Sequence, residues 1–104
     1  MERSNKLTEA QEERLGVAVE EFGEALQAIG KIVRYGYDNQ WLGEGPTKKQ
    51  KLEEEIAHCM IAINMLIATK DISLDALEQH YNKKKEFIQN HLLHQEGEFD
   101  WNEL

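Results

Sequence analysis

The sequence predicts an all-α fold, and three observations favour it. Among 104 residues there are one proline and seven glycines, so helix-forming stretches run without interruption. Apolar residues recur at three- or four-residue intervals in these stretches, which is the period of a helix, and no stretch shows convincing strand alternation. We therefore expect an antiparallel helical hairpin plus a third helix, with a four-helix-bundle-type core completed by oligomerisation.

Capping signals place the start of each predicted helix at a hydroxyl residue, whose side chain can accept a hydrogen bond from the first turn. Two of these starts also have a glutamine three residues later, which completes a capping box. Gly36 supplies the stop for the first helix, and a short connection between the other two favours antiparallel neighbours. The predicted helices run from Thr8 to Tyr35, from Thr47 to about Thr69 and from Ser73 to about His94, with a loop over 37–46.

The chain is short enough to be one domain, predicted as residues 1–94 followed by an acidic tail, 95–104. A domain of this size has a small core, which favours a homo-oligomer, either a dimer or a tetramer. The segment Cys59–Ala68 is apolar on all sides, including Ile61 and Met65, and three helices of one chain can hardly surround it. We expect this segment to be buried in the oligomer.

The net charge of −8 excludes nucleic acid and an anionic membrane as the main partner, because both require a basic surface. The single cysteine, Cys59, lies in an apolar run and is interpreted as a small core residue. The first ten residues contain no apolar signal-peptide core, and the longest apolar run is about half a membrane span. These features predict a cytoplasmic protein.

Acidic residues lie inside the apolar helical sequence, at positions that share a helix face. At about 100° per residue, Glu21 and Glu24 fall on a mixed face beside the apolar stripe, whereas Glu20 falls on a polar face. Glu55 and His58 occupy the equivalent position on the second helix. Each pair has i,i+3 spacing, so its side chains can share a ligand. The apolar stripes comprise Leu15, Ala18, Phe22, Leu26, Ile29 and Val33 on the first helix and Leu52, Ile56, Cys59, Ile63 and Leu66 on the second.

Carboxylates on inward-facing helix positions indicate a specific chemistry. An unpaired ionised carboxylate in an apolar setting costs several kcal/mol, so such acids neutralise, pair with a base or bind a cation. Several carboxylates from two antiparallel helices suit a divalent cation, and Mg²⁺ is held by carboxylates, waters and substrate phosphates. A nucleoside triphosphate is the natural substrate of such a site.

The run from Glu20 to Glu24, followed by Glu55-x-x-His58, resembles the EExxE and ExxD motifs of the all-α NTP pyrophosphohydrolases, the MazG-like group, in their short phage-type members. The resemblance covers roughly Leu15–Phe87. It implies cleavage of an NTP or dNTP between the α and β phosphates, giving the monophosphate and pyrophosphate with Mg²⁺, or Mn²⁺, as cofactor. Glu20 matches the first motif acid and takes a supporting catalytic role. The metal-ligand positions of the motifs fall on Glu21, Glu24 and Glu55.

The chain departs from the motif at His58, where the family has aspartate. A neutral imidazole can ligate a metal but adds no negative charge, and it favours softer ions such as manganese over magnesium. Either His58 is a fourth metal ligand or general base beside three carboxylates, or catalysis has been altered.

Four residues outside the acidic cluster are candidates for substrate binding. Lys84 interrupts the apolar stripe of the third helix and should project toward the core side. The resemblance implies Asn or Lys on this helix as a phosphate ligand, and Asn82 and Lys85 fit the spacing. The alternative is a solvated basic patch. Trp41 could stack on a base, the alternative being an aromatic plug over the core.

Two other functions remain open on the sequence. The first is a catalytically altered helical oligomer that binds a nucleotide or a protein. The second is a di-metal carboxylate bundle of the ferritin-like kind, because Glu55-x-x-His58 is also the Glu-x-x-His of those proteins and a dimer would supply two copies.

Overall fold

The computed structural model describes residues 4–104, so residues 1–3 of the predicted domain lie outside the described residues. The described chain is mostly helical, which confirms the coarse prediction of an all-α fold. Its helices are α1, Glu9–Tyr35, α2, Lys48–Ala68, and α3, Leu74–His91.

Side-chain caps start all three helices where the sequence predicts them. Thr8 Oγ1 accepts a hydrogen bond from the Gln11 main chain at 3.1 Å, and Gln11 Oε1 accepts one from the Thr8 main chain at 2.9 Å. Thr47 and Gln50 form the same box at the start of α2, and Ser73 caps α3. These bonds satisfy main-chain donors that a helix start leaves without intrahelical partners.

A small β-ribbon replaces part of the predicted loop over 37–46. Strand β1, Gln40–Trp41, pairs antiparallel with β2, Glu44–Thr47, across a two-residue turn. Leu42 and Gly43 in that turn have φ of 52° and 75°, the two positive values that a type I′ hairpin turn requires. Leucine seldom adopts this conformation, which is why the sequence did not predict the ribbon.

The hairpin of α1 and α2 packs mainly through small residues, and this corrects part of the predicted core. Leu26 and Val33 of the predicted stripe are 69% and 83% exposed in this chain. The buried positions lie where each predicted stripe meets the adjacent mixed face, and three of them, Ala18, Cys59 and Leu66, belong to the predicted stripes. Small side chains at these positions let the two helix backbones approach closely. The buried positions are Ala18, Ala25 and Ala28 on α1 and Glu55, Cys59, Ala62 and Leu66 on α2.

An ion pair joins the N-terminal part of α1 to the end of the hairpin. Arg14 Nε and Nη2 donate to the two carboxylate oxygens of Asp71 at 2.7 and 3.2 Å, with both side chains largely buried. The hydrogen bond from Arg14 lowers the pKa of Asp71, and the same bond raises the pKa of Arg14. This two-point contact fixes the helix register as well as contributing charge pairing.

The chain divides into two compact units, with the boundary between Asp71 and Ile72. The predicted division into a domain over 1–94 and a tail over 95–104 stays a prediction. The second unit contains α3, none of whose residues is buried. This helix ends at His91 and not near His94, because Leu92 turns to an extended conformation with φ −80° and ψ 141°.

The acidic tail folds back on α3 within the second unit. It ends in a single 3₁₀ turn, Trp101–Glu103, and the rings of Phe99 and Trp101 lie 4.7 Å apart. Trp101 and Leu104 line a cavity of about 400 Å³ together with residues of α3. Among the described residues, no helix combines the length and the apolar character needed to cross a bilayer.

Candidate metal site

Four side chains of α1 and α2 converge at the seam of the hairpin. Glu21, Glu24, Glu55 and His58 each offer one ligand atom, and these atoms all lie within 4.8 Å of one another. Glu55 is the deepest of the four, with 4% of its surface exposed, and the others are half-buried. The four residues could therefore hold one metal ion.

Helix register brings the two pairs to the same level. The thiol of Cys59 donates to the main-chain oxygen of Glu21 at 3.3 Å, which sets Glu21 beside the turn of α2 that contains Glu55 and His58. If both helices started level at the hairpin loop, their rise per residue would put Glu21 and Glu55 about two turns apart along the helix axes. In the structure α1 and α2 are shifted along their axes relative to each other, and this shift brings the two glutamates together. Cys59 is buried, as predicted, and burial raises the pKa of its thiol.

Two carboxylate oxygens at the centre of the cluster, one of Glu21 and one of Glu55, lack a hydrogen-bond donor among the described residues. Oε2 of Glu21 lies 3.3 Å and Oε2 of Glu55 lies 3.6 Å from Nδ1 of His58. Both oxygens are fully buried, and with the carboxyls ionised neither has a hydrogen-bond partner within residues 4–104. Buried anionic oxygens without partners are costly, so this arrangement is typical of a site that receives a cation.

Lys51 orients the deepest ligand, and sequence reasoning missed this residue. Its Nζ lies 3.0 Å from Oε1 of Glu55 and 3.1 Å from Oε2 of Glu54. The bond to Lys51 outweighs burial and lowers the pKa of Glu55. Because Oε1 is held by the lysine, Oε2 is the oxygen left to face the cluster. The signal for it was the i,i+4 spacing of Lys51 and Glu55.

The neighbours of Glu24 shift its pKa upward, whereas the pKa of Glu55 is shifted downward. The pKa of Glu24 is raised, first because its carboxyl can share a proton with Glu55, then by burial and by the charges of Glu55, Glu21 and Glu20. Without a cation, one proton thus relieves part of the repulsion among the carboxylates. Metal binding would displace that proton.

The other acids of the two motifs lie outside the cluster. Glu20 and Glu53 are exposed, and Glu54 is engaged by Lys51 on the helix surface. For Glu20, this agrees with the polar face assigned to it from the sequence. The supporting catalytic role predicted for Glu20 stays a prediction.

Two of the four predicted substrate-binding residues, Lys84 and Lys85, line one cavity of the second unit, and the contacts described for residues 4–104 do not bring Asn82 or Trp41 to it. Lys84 is exposed, its Nζ lies 4.8 Å from the Phe87 ring, and it lines the cavity beside the tail; its projection toward a core side stays a prediction. Lys85 lines the cavity beside the tail, and Asn82 is exposed. Trp41 is 75% exposed, so it is not a plug over the core of this chain. Its role in stacking a base stays a prediction.

The donor set fits a divalent cation better than any other ligand. Three carboxylates match hard ions such as Mg²⁺, and one imidazole nitrogen shifts the preference toward Mn²⁺ and other transition metals. Neither the metal nor an activity can be assigned by likeness, because comparison with protein-family models, curated proteins and solved structures finds no match to this chain.

Proposed function

We propose that the chain is a divalent-metal-dependent nucleoside triphosphate pyrophosphohydrolase, which converts an NTP or dNTP to the monophosphate and pyrophosphate. The observation that carries the proposal is the convergence of Glu21, Glu24, Glu55 and His58, with two buried carboxylate oxygens aimed into the cluster. Glu21, Glu24 and Glu55 match the metal-ligand positions of the EExxE and ExxD motifs in the family that the sequence resembles, and His58 stands at the position of the motif aspartate.

Charge explains why such a site needs a cation for this substrate. The chain carries a net charge of −8. A triphosphate would be repelled by the three carboxylates that lie together between α1 and α2. A bound divalent cation supplies the positive charge that holds the phosphates and offsets charge developing on their oxygens. Glu21, Glu24 and Glu55 hold the cation, and Lys51 keeps Glu55 in its ligating orientation.

His58 takes the position of the motif aspartate as a ligand in this proposal. Its Nδ1 points at the same two oxygens that face the cluster centre, so the imidazole and the carboxylates address one point. Exchange of an oxygen for a nitrogen ligand favours Mn²⁺ relative to Mg²⁺. We therefore propose Mn²⁺ as the better-supporting ion and Mg²⁺ as a working one.

A panel of NTPs and dNTPs with Mg²⁺ or Mn²⁺ tests the activity, scored for pyrophosphate against orthophosphate. We expect metal-dependent pyrophosphate release that Glu21→Gln abolishes and Glu53→Gln leaves unchanged, since Glu53 lies outside the cluster. Metal binding with no turnover of any nucleotide would favour the catalytically altered oligomer. Two metal ions per site with oxidation chemistry in place of hydrolysis would favour the di-metal carboxylate bundle.

A further inference from the structure

The loop end of the hairpin exposes a group of large apolar and aromatic side chains. Trp41 and Leu42, at the turn of the β-ribbon, are 75% and 84% exposed, and Tyr35 and Tyr37, where α1 leads into the ribbon, are also exposed. All four residues lie in the first compact unit, so the group involves neither α3 nor the tail. Large exposed apolar side chains gathered in one place indicate a contact with something outside the chain.

Leu42 occupies its position against the preference of the backbone. Its φ of 52° is one that glycine or asparagine adopts readily and that leucine disfavours. The side chain does not offset this strain by packing within the chain, because most of its surface is exposed. Backbone strain at an exposed, apolar residue points to a functional contact of its side chain.

Four cations lie at the same end of the hairpin. The main-chain N–H groups of two of them, Lys48 and Lys49, donate to the main-chain oxygens of Asn39 at 3.0 Å and Tyr37 at 2.9 Å, which holds the start of α2 against the ribbon. The guanidinium of Arg34 lies 5.3 Å from the centre of the Tyr35 ring. We call these cations and the four large side chains the ribbon surface, which comprises Lys31, Arg34, Tyr35, Tyr37, Trp41, Leu42, Lys48 and Lys49.

The ribbon surface is the basic end of an acidic chain. Residues 31–50 contain four cations and two acids, Asp38 and Glu44, whereas the whole chain has a net charge of −8. The nearest preceding acid of α1, Glu24, lies about 16 Å from Tyr35 along the helix, beyond the screening distance of roughly 8–10 Å in salt. The local positive charge therefore decides what approaches this end, although the net charge of the chain predicts no membrane partner.

The lysines that open α2 are not explained by the helix itself. The first turns of α1 and α3 contain acids, which interact favourably with the positive end of a helix dipole, and the first turn of α2 contains none. Lys48 and Lys49 stand there against this preference. Their charge adds to that of the helix end, so this part of the surface is complementary to an anionic partner.

We propose that the ribbon surface binds the anionic surface of a lipid membrane, with the turn of the ribbon inserted among the headgroups. Tryptophan and tyrosine are the side chains preferred at headgroup depth, and Leu42 adds an apolar side chain at the tip. Lysine and arginine attract anionic lipids while their stems lie along apolar surface. Because Trp41 and Leu42 project from a turn, a protein partner would need a matching pocket for them, whereas a lipid layer admits them without one.

Co-sedimentation of the full chain with vesicles of equal parts phosphatidylcholine and phosphatidylglycerol tests the proposal. Leu42→Asn is the disrupting variant, because asparagine tolerates the positive φ of the turn and removes the apolar side chain. Leu93→Asn is the matched control, since Leu93 is also 84% exposed but lies in the second unit. We expect the unaltered chain and the control to bind, and Leu42→Asn to bind about 10-fold more weakly, as the loss of one buried leucine side chain implies. Added salt should release the bound protein, because it screens the attraction to anionic lipid.

Tryptophan fluorescence gives a second readout, which decides if Leu42→Asn does not fold. Anionic vesicles should shift the emission of the unaltered chain to shorter wavelength, and the shift should persist in Trp101→Phe and disappear in Trp41→Phe. No binding of the unaltered chain to anionic vesicles, an equal loss in both leucine variants, or a shift that follows Trp101 would overturn the proposal. Binding of a single-stranded oligonucleotide in place of vesicles would also overturn it, and would assign the surface to nucleic acid. This inference does not depend on the proposed activity.

Discussion

Nζ of Lys51 lies 3.0 Å from Oε1 of Glu55, which leaves Oε2 of Glu55 as the oxygen that faces the metal cluster. The lysine is four residues before the glutamate on α2 and is about half-exposed, whereas the glutamate side chain is 5% exposed. A surface cation thus fixes the orientation of a buried ligand.

Lys51→Met should weaken Mn²⁺ binding by about 10- to 100-fold, the usual cost of losing a residue that orients a metal ligand. Calorimetric titration measures this directly. Lys51→Arg should keep most of the affinity, because the guanidinium can still hold Oε1. Glu54→Gln is the matched control, since it removes only the exposed contact of the same lysine. Tighter binding by Lys51→Met would show that the lysine charge repels the cation more than its bond helps.

His58→Asp should shift the metal preference of the activity from Mn²⁺ toward Mg²⁺. The change replaces a nitrogen ligand by a hard oxygen and adds a negative charge to the cluster. The measurement is the ratio of pyrophosphate release with each ion. A folded His58→Asp protein with no turnover would show that the imidazole has a chemical role beyond ligation. Unchanged activity in His58→Ala would show that His58 is not a ligand.

Glu24→Gln should stabilise the metal-free protein at neutral pH. The pKa of Glu24 is raised in the folded state, so folding is favoured where the carboxyl is protonated, and this contribution is lost as pH rises through the raised value. The glutamine amide carries no charge, so the variant lacks the repulsion between Glu24 and the neighbouring carboxylates of Glu21 and Glu55. The thermal midpoint of the metal-free variant should exceed that of the unaltered chain at pH 7, and the difference should vanish in acid.

The same variant should lose the stabilisation that metal gives. A cation at 100 times its dissociation constant stabilises the folded state by about 2.7 kcal/mol, and each kcal/mol raises the midpoint by about 4–8 °C in a domain of this size. Glu53→Gln should keep that rise. If Glu24→Gln lowers the metal-free midpoint, the carboxylates do not repel each other as described.

Asp71→Asn should lower the thermal midpoint at neutral pH by breaking the two-point contact with Arg14. The pKa of Asp71 is lowered in the folded state. Its contribution is therefore complete above the ordinary pKa of aspartate, about 3.9, and is lost as pH falls through the lowered value. The midpoints of the two proteins should converge in acid. Asp38→Asn, in an exposed loop, serves as the control, and an equal loss in both would contradict the role of the ion pair.

Local signals predicted the helices, because caps act within one turn. Thr8, Thr47 and Ser73 start the helices as expected, and Gly36 ends α1 with φ of 88°. The turn of the ribbon escaped prediction because Leu42 takes a positive φ that its side chain disfavours.

The packed faces of the hairpin could not be read from periodicity. Periodicity identifies apolar stripes but does not say which of two adjacent faces meets the other helix of the same chain. The small residues Ala25 and Ala28 decide it, by permitting close approach, while large stripe residues such as Leu26 and Val33 stay exposed. The cluster was still predictable, because Glu21 and Glu55 lie on the faces adjacent to the stripes.

Calorimetric titration of the full chain with Mn²⁺ tests most directly the claim that Glu21, Glu24, Glu55 and His58 form one metal site. We predict one saturable equivalent per chain. Glu21→Gln and Glu55→Gln should each weaken binding by more than the roughly 10- to 100-fold expected for a residue that only orients a ligand. Glu53→Gln should bind as the unaltered chain does. Absence of saturable binding, or an equal loss in all three variants, would contradict the site.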